Sequence, residues 1–589
     1  MNAKEFYVLS LLLNSPYVSQ RNLSSRTNFS LGTINNILKK LLQNGYIDKN
    51  MNLTNASKDD LKKIKPKNAV ILSAGIGLRM VPIHFETPKA LAEIKGEILI
   101  ERLIRQLQEA GVKDIYVVVG FMKEKFEYLI EKFKVKLIVN TEYFKKSNLH
   151  SLKLSSEILD NSYIINCNLY FNKNPFNLYE PYSWCMVNES KNSEDTENNV
   201  YINKKNKIFI DYKKQSNSEI LGLCYLSKKD CDFVKNNLSK LSKVFGNEYL
   251  PWQNALFNKN EMLPQAKKID NCDFFKINTY NDIINIDNNS NSLENDSINL
   301  IKKIFNIKKE DIYDIKVLKK GMTNRSFIFT VKKEKYILRI PGKGTDFLIN
   351  RKEEKETYDI INGKNICDDV IYINEKNGYK ISKFFENSRC CDKDSEDDLK
   401  LCMKKLKEFH NLKLKVNHEF DIFEKINFYQ SLWKEKKSIY KDYDITKKNI
   451  KSLKPFIDSM VKEKYLTHMD ANCDNFLFLG KKDIKLIDWE YASMQDPHVD
   501  IAMFCIYAMY DKKQIDKIID IYFENNCDIL NRIKIYSYIA CCGLLWSNWC
   551  EYKLQLGIEF GEYSIKQYSY AKEFYIIVKE MLKNINYNF

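Results

Sequence analysis

Residues 287–296 read DNNSNSLEND, a run with one large hydrophobe, and this stretch most constrains how the chain can fold. So polar a segment has almost nothing to bury, so no single hydrophobic core is expected to run through it. The 589 residues therefore separate into at least two bodies. Length alone predicts about three or four domains. The expected layout is 1–60, 68–286, a linker at 287–297, and 298–589.

Composition narrows the class. Hydrophobic residues make up 44% and aromatic residues 13%, enough for several interiors. No uninterrupted apolar run approaches the length of about 18 residues that suggests a membrane span. The most apolar stretches, 501–510 and 538–546, have the length of buried helices. The start, Met1-Asn2-Ala3-Lys4-Glu5, lacks the basic segment, apolar core and cleavage site of a signal peptide, so a cytoplasmic location is expected. The 15 cysteines are scattered without a Cys-x-x-Cys pair and there are only six histidines, which predicts neither a zinc site nor a disulfide framework. The formal charge of +16 is spread along a chain rich in Lys, Asn and Ile; it suits attraction of phosphorylated small molecules better than a dedicated nucleic-acid stripe.

At the N-terminus Phe6, Leu9, Leu12 and Leu13 recur at helical spacing, a second helix fits 19–26, and Ser30 can cap a third carrying Ile34, Ile37, Leu38, Leu41 and Leu42. Gly45 stops it and Tyr46-Ile47-Asp48 can begin a strand. This resembles a winged helix-turn-helix, which implies DNA as a partner. Thr33, Asn35, Asn36 and Lys39 would then face outward from the recognition helix. The alternative is a trihelical cap packed on the rest of the chain.

From 68 to 286, β-rich runs at 69–73, 115–119 and 136–140 alternate with amphipathic helices at 99–110 and 123–133. That is the grammar of an α/β, doubly wound, mostly parallel sheet. The first strand delivers the chain into Ser73-Ala74-Gly75-Ile76-Gly77-Leu78-Arg79, whose glycines allow backbone amides to approach phosphates. Arg79 and Lys89 can neutralise them. Met80 stands where a dinucleotide fingerprint needs its third glycine. This segment looks like the nucleotidyltransferases that activate sugars and phosphocholine. Asn140-Thr141-Glu142-Tyr143, Ser147-Asn148 with Ser151-Leu152, and Tyr249-Leu250-Pro251-Trp252 are similar to the bacterial CTP:phosphocholine cytidylyltransferases. The resemblance implies CTP and phosphocholine as ligands and two aspartates holding Mg²⁺. The matching positions here are Asn168 and Asn278, and losing two carboxylates from a hard-cation site predicts impaired transfer unless Asp270, Asp273 or Asp282 compensates.

The last segment opens with strands and closes with long helices, as in a two-lobed α+β kinase-like fold. His468-Met469-Asp470-Ala471-Asn472-Cys473-Asp474-Asn475 precedes a hairpin ending at Asp488. This spacing lets Asp470 accept a proton from a substrate hydroxyl while Asn475 and Asp488 hold Mg²⁺. Upstream, Thr323 and Asn324 sit in a turn that can cover ATP phosphates. Arg339 can pair with them, braced by Glu353 or Glu354. Together with Leu338–Gly342 in the form LRIPG and Ile349-Asn350-Arg351, these residues resemble the choline kinase branch of the aminoglycoside-phosphotransferase-like superfamily. That implies ATP, Mg²⁺ and choline. A quaternary ammonium needs aromatic faces and a carboxylate, for which Trp489, Glu490, Trp546 and Trp549 are the expected residues, with Tyr491, Glu551 and Tyr552 nearby. Ethanolamine or an aminoglycoside is the alternative acceptor. A DNA-binding regulator whose enzyme-like domains sense ligands is the alternative function.

Overall fold

The computed structural model describes residues 3–188, 199–210, 218–319, 324–342, 348–480 and 483–587. The chain divides into two compact units, Met1–Val317 and Leu318–Phe589.

The first unit begins with helices α1 (Ala3–Asn14), α2 (Gln20–Thr27) and α3 (Leu31–Gln43). Ser19 and Ser30 cap α2 and α3, each accepting a hydrogen bond from a backbone amide inside its helix. Val8, Leu9, Leu23, Ile34, Leu38 and Leu41 close a small core. Gly45, at φ 72°, turns the chain into an antiparallel bridge, Ile47↔Leu53, which forms the wing before α4 (Asn55–Lys63).

A mixed sheet follows. Its parallel centre is β1 (Asn68–Leu72), β2 (Asp114–Val119), β3 (Lys136–Val139) and β4 (Ser162–Asn166) in the order β4-β1-β2-β3. β1 and most of β2 and β4 are buried, as strands covered on both faces must be. Helix α5 (Leu99–Glu109) packs Ile100, Leu103, Ile104 and Leu107 onto the sheet at helical spacing. The helix expected over 123–133 divides into a 3₁₀ turn, Lys123–Phe126, and one short helix, Tyr128–Phe133. A two-stranded ribbon, β5 (Leu169–Phe171) with β7 (Phe274–Lys276), lies beyond β4, and β6 (Ser218–Leu226) pairs antiparallel with β4.

The polar segment read as a linker is built into this unit. Ser290 Oγ donates to Glu93 O, Ser292 Oγ accepts from Glu93 N at 2.7 Å, and Asp287 Oδ2 accepts from Lys95 N at 2.6 Å. Its side chains satisfy the backbone of the hairpin Glu93–Ile94/Glu97–Ile98, so polarity serves hydrogen bonding rather than solvation. The unit accordingly runs on through helix Asp296–Phe305 to Val317.

In the second unit β8 (Asn324–Val331) and β9 (Glu334–Pro341) pair across a tight turn with Lys332 and Lys333 at positive φ. β11 (Lys380–Lys383) continues the sheet beside β9, with β10 (Val370–Ile373) outside it. Helix α6 (Arg351–Ile361), capped by Asn350, and α7 (Glu396–Asn411) lead toward a helical lobe. There the hairpin β12 (Phe476–Leu479) and β13 (Asp483–Leu486) precedes α8 (His498–Tyr507), α9 (Ile529–Gln555) and α10 (Glu562–Asn584). α9 is apolar on nearly every side and forms the axis of the largest core. Among the described residues no helix is long and apolar enough to cross a membrane, and all 15 cysteines are unpaired.

Candidate functional site

In the second unit the loop 468–475 is fixed from beneath. Asp500, fully buried on α8, accepts from His468 N at 2.9 Å (Oδ2) and Met469 N at 2.8 Å (Oδ1), and His410 Nε2 lies 3.0 Å from its Oδ2. The loop therefore starts from a pinned backbone, a role that the sequence reading did not give to Asp500. Asn475 Nδ2 donates to Asp470 O at 2.8 Å and Asp470 Oδ2 at 3.1 Å. Ile487 N donates to Asn475 O at 2.9 Å, which brings Asp488 beside the loop. Burial, reinforced by the Asp488 charge, pushes the Asp470 carboxyl up to about 7. Such a carboxylate is a stronger proton acceptor than an exposed one.

Arg339 reaches the same place from β9. Its Nη2 lies 2.6 Å from Glu354 on α6, and its Nη1 lies 3.7 Å from both Asp488 and Glu490. Of the two glutamates expected to brace it, Glu354 is the one that does; Glu353 accepts from Asn350 instead. Arg351 joins the cluster, 3.1 Å from Glu354. The carboxylates hold the Arg339 guanidinium more firmly charged despite its burial. Thr323 falls outside the described residues, and of Asn324 only its place at the start of β8 is described.

The residues expected around a quaternary ammonium separate. Trp489 is wholly buried, donates Nε1–H to Leu486 O at 2.7 Å and packs on His468 and Phe409, so it is a core residue. Glu490 faces Arg339 and Arg351, at 3.7 Å from each, and its charge also bears on Tyr429 and Tyr491. Burial first, and then the Asp488 charge, push its carboxyl up to about 8. Trp546 and Trp549 do meet, 5.6 Å apart at 75°, and Tyr491, Tyr507 and Phe560 complete an aromatic cluster around them. Tyr507 and Tyr563, which stack at 5.9 Å, were missed by the sequence reading. Tyr507 and Asp470 influence one another's ionisation, which puts this cluster beside the loop. Glu551 is engaged elsewhere, accepting from Ser438 Oγ and Ile439 N.

Oxygen donors suited to Mg²⁺ are present here. Asn475 uses its amide nitrogen on Asp470, leaving its carbonyl oxygen, and the Asp488 carboxylate is 37% exposed.

The first unit holds a cavity of about 410 Å³ at the carboxyl ends of β1 and β4, lined by Gly75, Gly77, Arg79, Lys89, Asn168 and Asn278 among others. This is the switch-point location where open α/β sheets bind ligands. Gly77, at φ 71°, adopts a conformation L side chains rarely take. Gly222, on β6, is needed differently: a Cβ there would lie 2.2 Å from Asn166 Nδ2, on the side chain that lines the cavity and accepts from Trp252 Nε1.

The donor set does not fit Mg²⁺. Lys89 Nζ donates to Asn278 Oδ1 at 2.7 Å, and Asn168 Nδ2 donates to the same oxygen at 2.9 Å. An ammonium only donates, which fixes the orientation of the Asn278 amide and in turn that of Asn168. Both lone pairs of Asn278 Oδ1 are then occupied. Asp282 is spent on the amides of Asn278 and Thr279, and Asp273 pairs with Lys173 at 3.0 Å. Neither these nor Asp270 lines the cavity, and among the described residues its lining contains no carboxylate.

The fold and these groups define a two-lobed kinase-like phosphotransferase domain joined to a nucleotidyltransferase-type domain and a winged helix. Residues 315–539 match the choline/ethanolamine kinase family, 69–164 the MobA-like NTP transferase domain and 1–48 the winged helix-turn-helix DNA-binding family. The C-terminal domain is thus similar to choline kinase-type phosphotransferases. The chain is 45% identical over 108 residues, 18% of its length, to the choline-phosphate cytidylyltransferase of Streptococcus pneumoniae. It spans about half, 47%, of that relative. It is 26% identical over 263 residues to protein LicA of Haemophilus influenzae, covering 42% of this chain and 96% of that one. The crystal structure of choline kinase LicA from Streptococcus pneumoniae aligns at 25% identity and TM-score 0.42, covering 48% of this chain and all of that one.

Proposed function

We propose that the C-terminal domain transfers the terminal phosphoryl group of ATP to choline. The aromatic cluster of Trp546, Trp549 and Tyr507, which lies near enough to Asp470 for Tyr507 to influence its ionisation, carries this reading. A quaternary ammonium has no hydrogen-bond donor and is held by ring faces, whereas the many amines of an aminoglycoside need carboxylates. Glu551, the nearest acid on α9, is already satisfied. Asp470 takes the proton of the choline hydroxyl as its oxygen bonds to the terminal phosphorus, and ADP leaves. Arg339, steadied by Glu354, meets the nucleotide phosphates. Asn475 and Asp488 would hold Mg²⁺, which when bound neutralises phosphate charge. Incubation with ATP, Mg²⁺ and choline should yield phosphocholine by mass spectrometry, and Asp470→Asn should lower turnover by about 10²–10⁴. Absence of transfer to choline, ethanolamine and an aminoglycoside alike would refute the kinase reading. Unpaired cysteines throughout are consistent with a reducing cytoplasm.

For the nucleotidyltransferase-like domain the reading is ligand binding with impaired CDP-choline formation, because amides replace the two carboxylates that a metal needs. Appearance of CDP-choline at a rate matching phosphocholine supply would count against it.

A second reading has a specific support. Asn36 and Lys39 of α3 are exposed, with Thr33 and Asn35 partly so, leaving the helix free to enter a DNA groove. In that case the enzyme-like domains report ligand levels to a regulator.

A further inference from the structure

A site that normally gathers anionic phosphates around a metal must replace its positive charge if it loses that metal. In the first unit the replacement is visible. Arg79, Lys89, Lys146 and Lys276 all line the 410 Å³ cavity, and no carboxylate does among the described residues. Lys276 is balanced by Glu219 and Lys146 by Glu142 at 2.7 Å, but both acids lie outside the lining. Lys89 is different. Its ammonium is anchored by Asn278 Oδ1 at 2.7 Å, and Asn278 is in turn anchored by Asn168 at 2.9 Å. The two amides thus form a neutral cradle that fixes a cation of the protein's own. Restoring a carboxylate at either position would pair that ammonium and cancel its charge.

We propose that this cavity binds a nucleoside phosphate without a divalent cation, the Lys89 ammonium supplying, in the cradle of Asn168 and Asn278, the positive charge a metal would bring. The inference rests on the reading that the domain retains ligand binding. A point charge on a flexible stem, held by one amide, keeps two further donors for phosphate oxygens. The volume suits a nucleotide-sized ligand. Arg79, at the end of the glycine-bearing loop, adds a second cation on the lining. Such a site reports a phosphorylated ligand whatever the free Mg²⁺ level, which a catalytic nucleotidyltransferase cannot do.

The test is calorimetric titration of the full chain with CTP and, separately, CDP-choline, each in EDTA and in Mg²⁺. The dissociation constants in the two buffers should agree within about threefold. Lys89→Gln should weaken the EDTA binding by about tenfold or more while the far-UV circular dichroism and thermal unfolding of the full chain stay unchanged, which shows that the variant is folded. The double variant Asn168→Asp with Asn278→Asp should make binding depend on Mg²⁺, weakening about tenfold in EDTA. Wild-type binding that requires Mg²⁺ overturns the inference and leaves the ligand-binding reading intact. Binding equally tight in Lys89→Gln overturns it too, because the ligand then sits elsewhere. No binding of either probe in either buffer overturns both.

Discussion

Lys89 concentrates the difference between the two halves of the chain into one ammonium. Half-buried at the cavity wall, it is pushed down to about 8 from the ordinary 10.5, with burial the main cause; Arg79 and Lys276 push the same way, and the Cys167 thiol and Asp282 oppose them. The sign matters. A lysine whose folded value lies below its unfolded one costs stability while charged, and that cost is relieved as pH rises through about 8. A bound phosphate reverses the preference, because it favours the ammonium. Nucleotide affinity is therefore expected to be flat below pH 8 and to fall above it, by up to about tenfold per pH unit until the bound-state value is reached. Affinity measured from pH 6.5 to 9.5 checks this, and a flat profile in Lys89→Gln would assign the effect. Glu354 plays the opposite electrostatic part in the kinase-type site. It is buried between Arg339 and Arg351, and from sequence it could not be told from Glu353, one position earlier. Helical geometry decides: Glu354 points inward from α6 and Glu353 back toward Asn350 at the helix start.

At the level of elements, α9 carries two tasks along one apolar rod. Its middle fills the helical lobe's core, and its later turns present Trp546 and Trp549 to Tyr491, Tyr507 and Phe560. Residues three apart share a helical face, so the pair was legible as neighbours on one side of the helix. That it stands next to Asp470 was not, since α8 brings Tyr507 there. Trp549 is the more exposed of the two and, among the described residues, its Nε1 has no hydrogen-bond partner. Trp549→Ala is expected to raise the KM for choline by about fivefold to thirtyfold, the equivalent of about 1–2 kcal/mol of cation–π attraction. The KM for ATP should stay unchanged. Steady-state kinetics with each substrate varied in turn separate these outcomes; a rise in both would mean that the helix, not the ring, was at issue.

For the whole molecule, three recognisable modules in one chain raise the question of whether the N-terminal helices act on DNA. Their exposed residues on α3 are mainly polar with two lysines, Lys39 and Lys40, and the α3 core residues pack in one cluster with α1, α2, Ile47 and Leu61. Binding, if it occurs, is then expected to be weak and strongly salt-dependent, because few phosphates are contacted. A mobility shift with the DNA flanking the chain's own coding region, run at two salt concentrations, checks this; no shift at low salt would leave α1–α4 as a structural cap. The modular order and the parallel sheet were legible in the sequence because they depend on periodicity, and the glycine-bearing loop and the grouping of Asp470, Asn475 and Asp488 because they depend on short-range spacing; the expectation of aspartates at Asn168 and Asn278 came from family resemblance instead. Tertiary structure alone decided three things. The 287–296 segment became part of a unit because its serines and Asp287 found unsatisfied backbone groups on a hairpin almost 200 positions away. Trp489 and Glu490, adjacent to a predicted site residue, were taken from the choline-facing set by packing and by two arginines. And Asn168 met Asn278 and Lys89 from three distant parts of the chain, turning what read as two lost carboxylates into a cradle for a lysine. Local patterns specify local geometry; which charges share a cavity is a property of the fold.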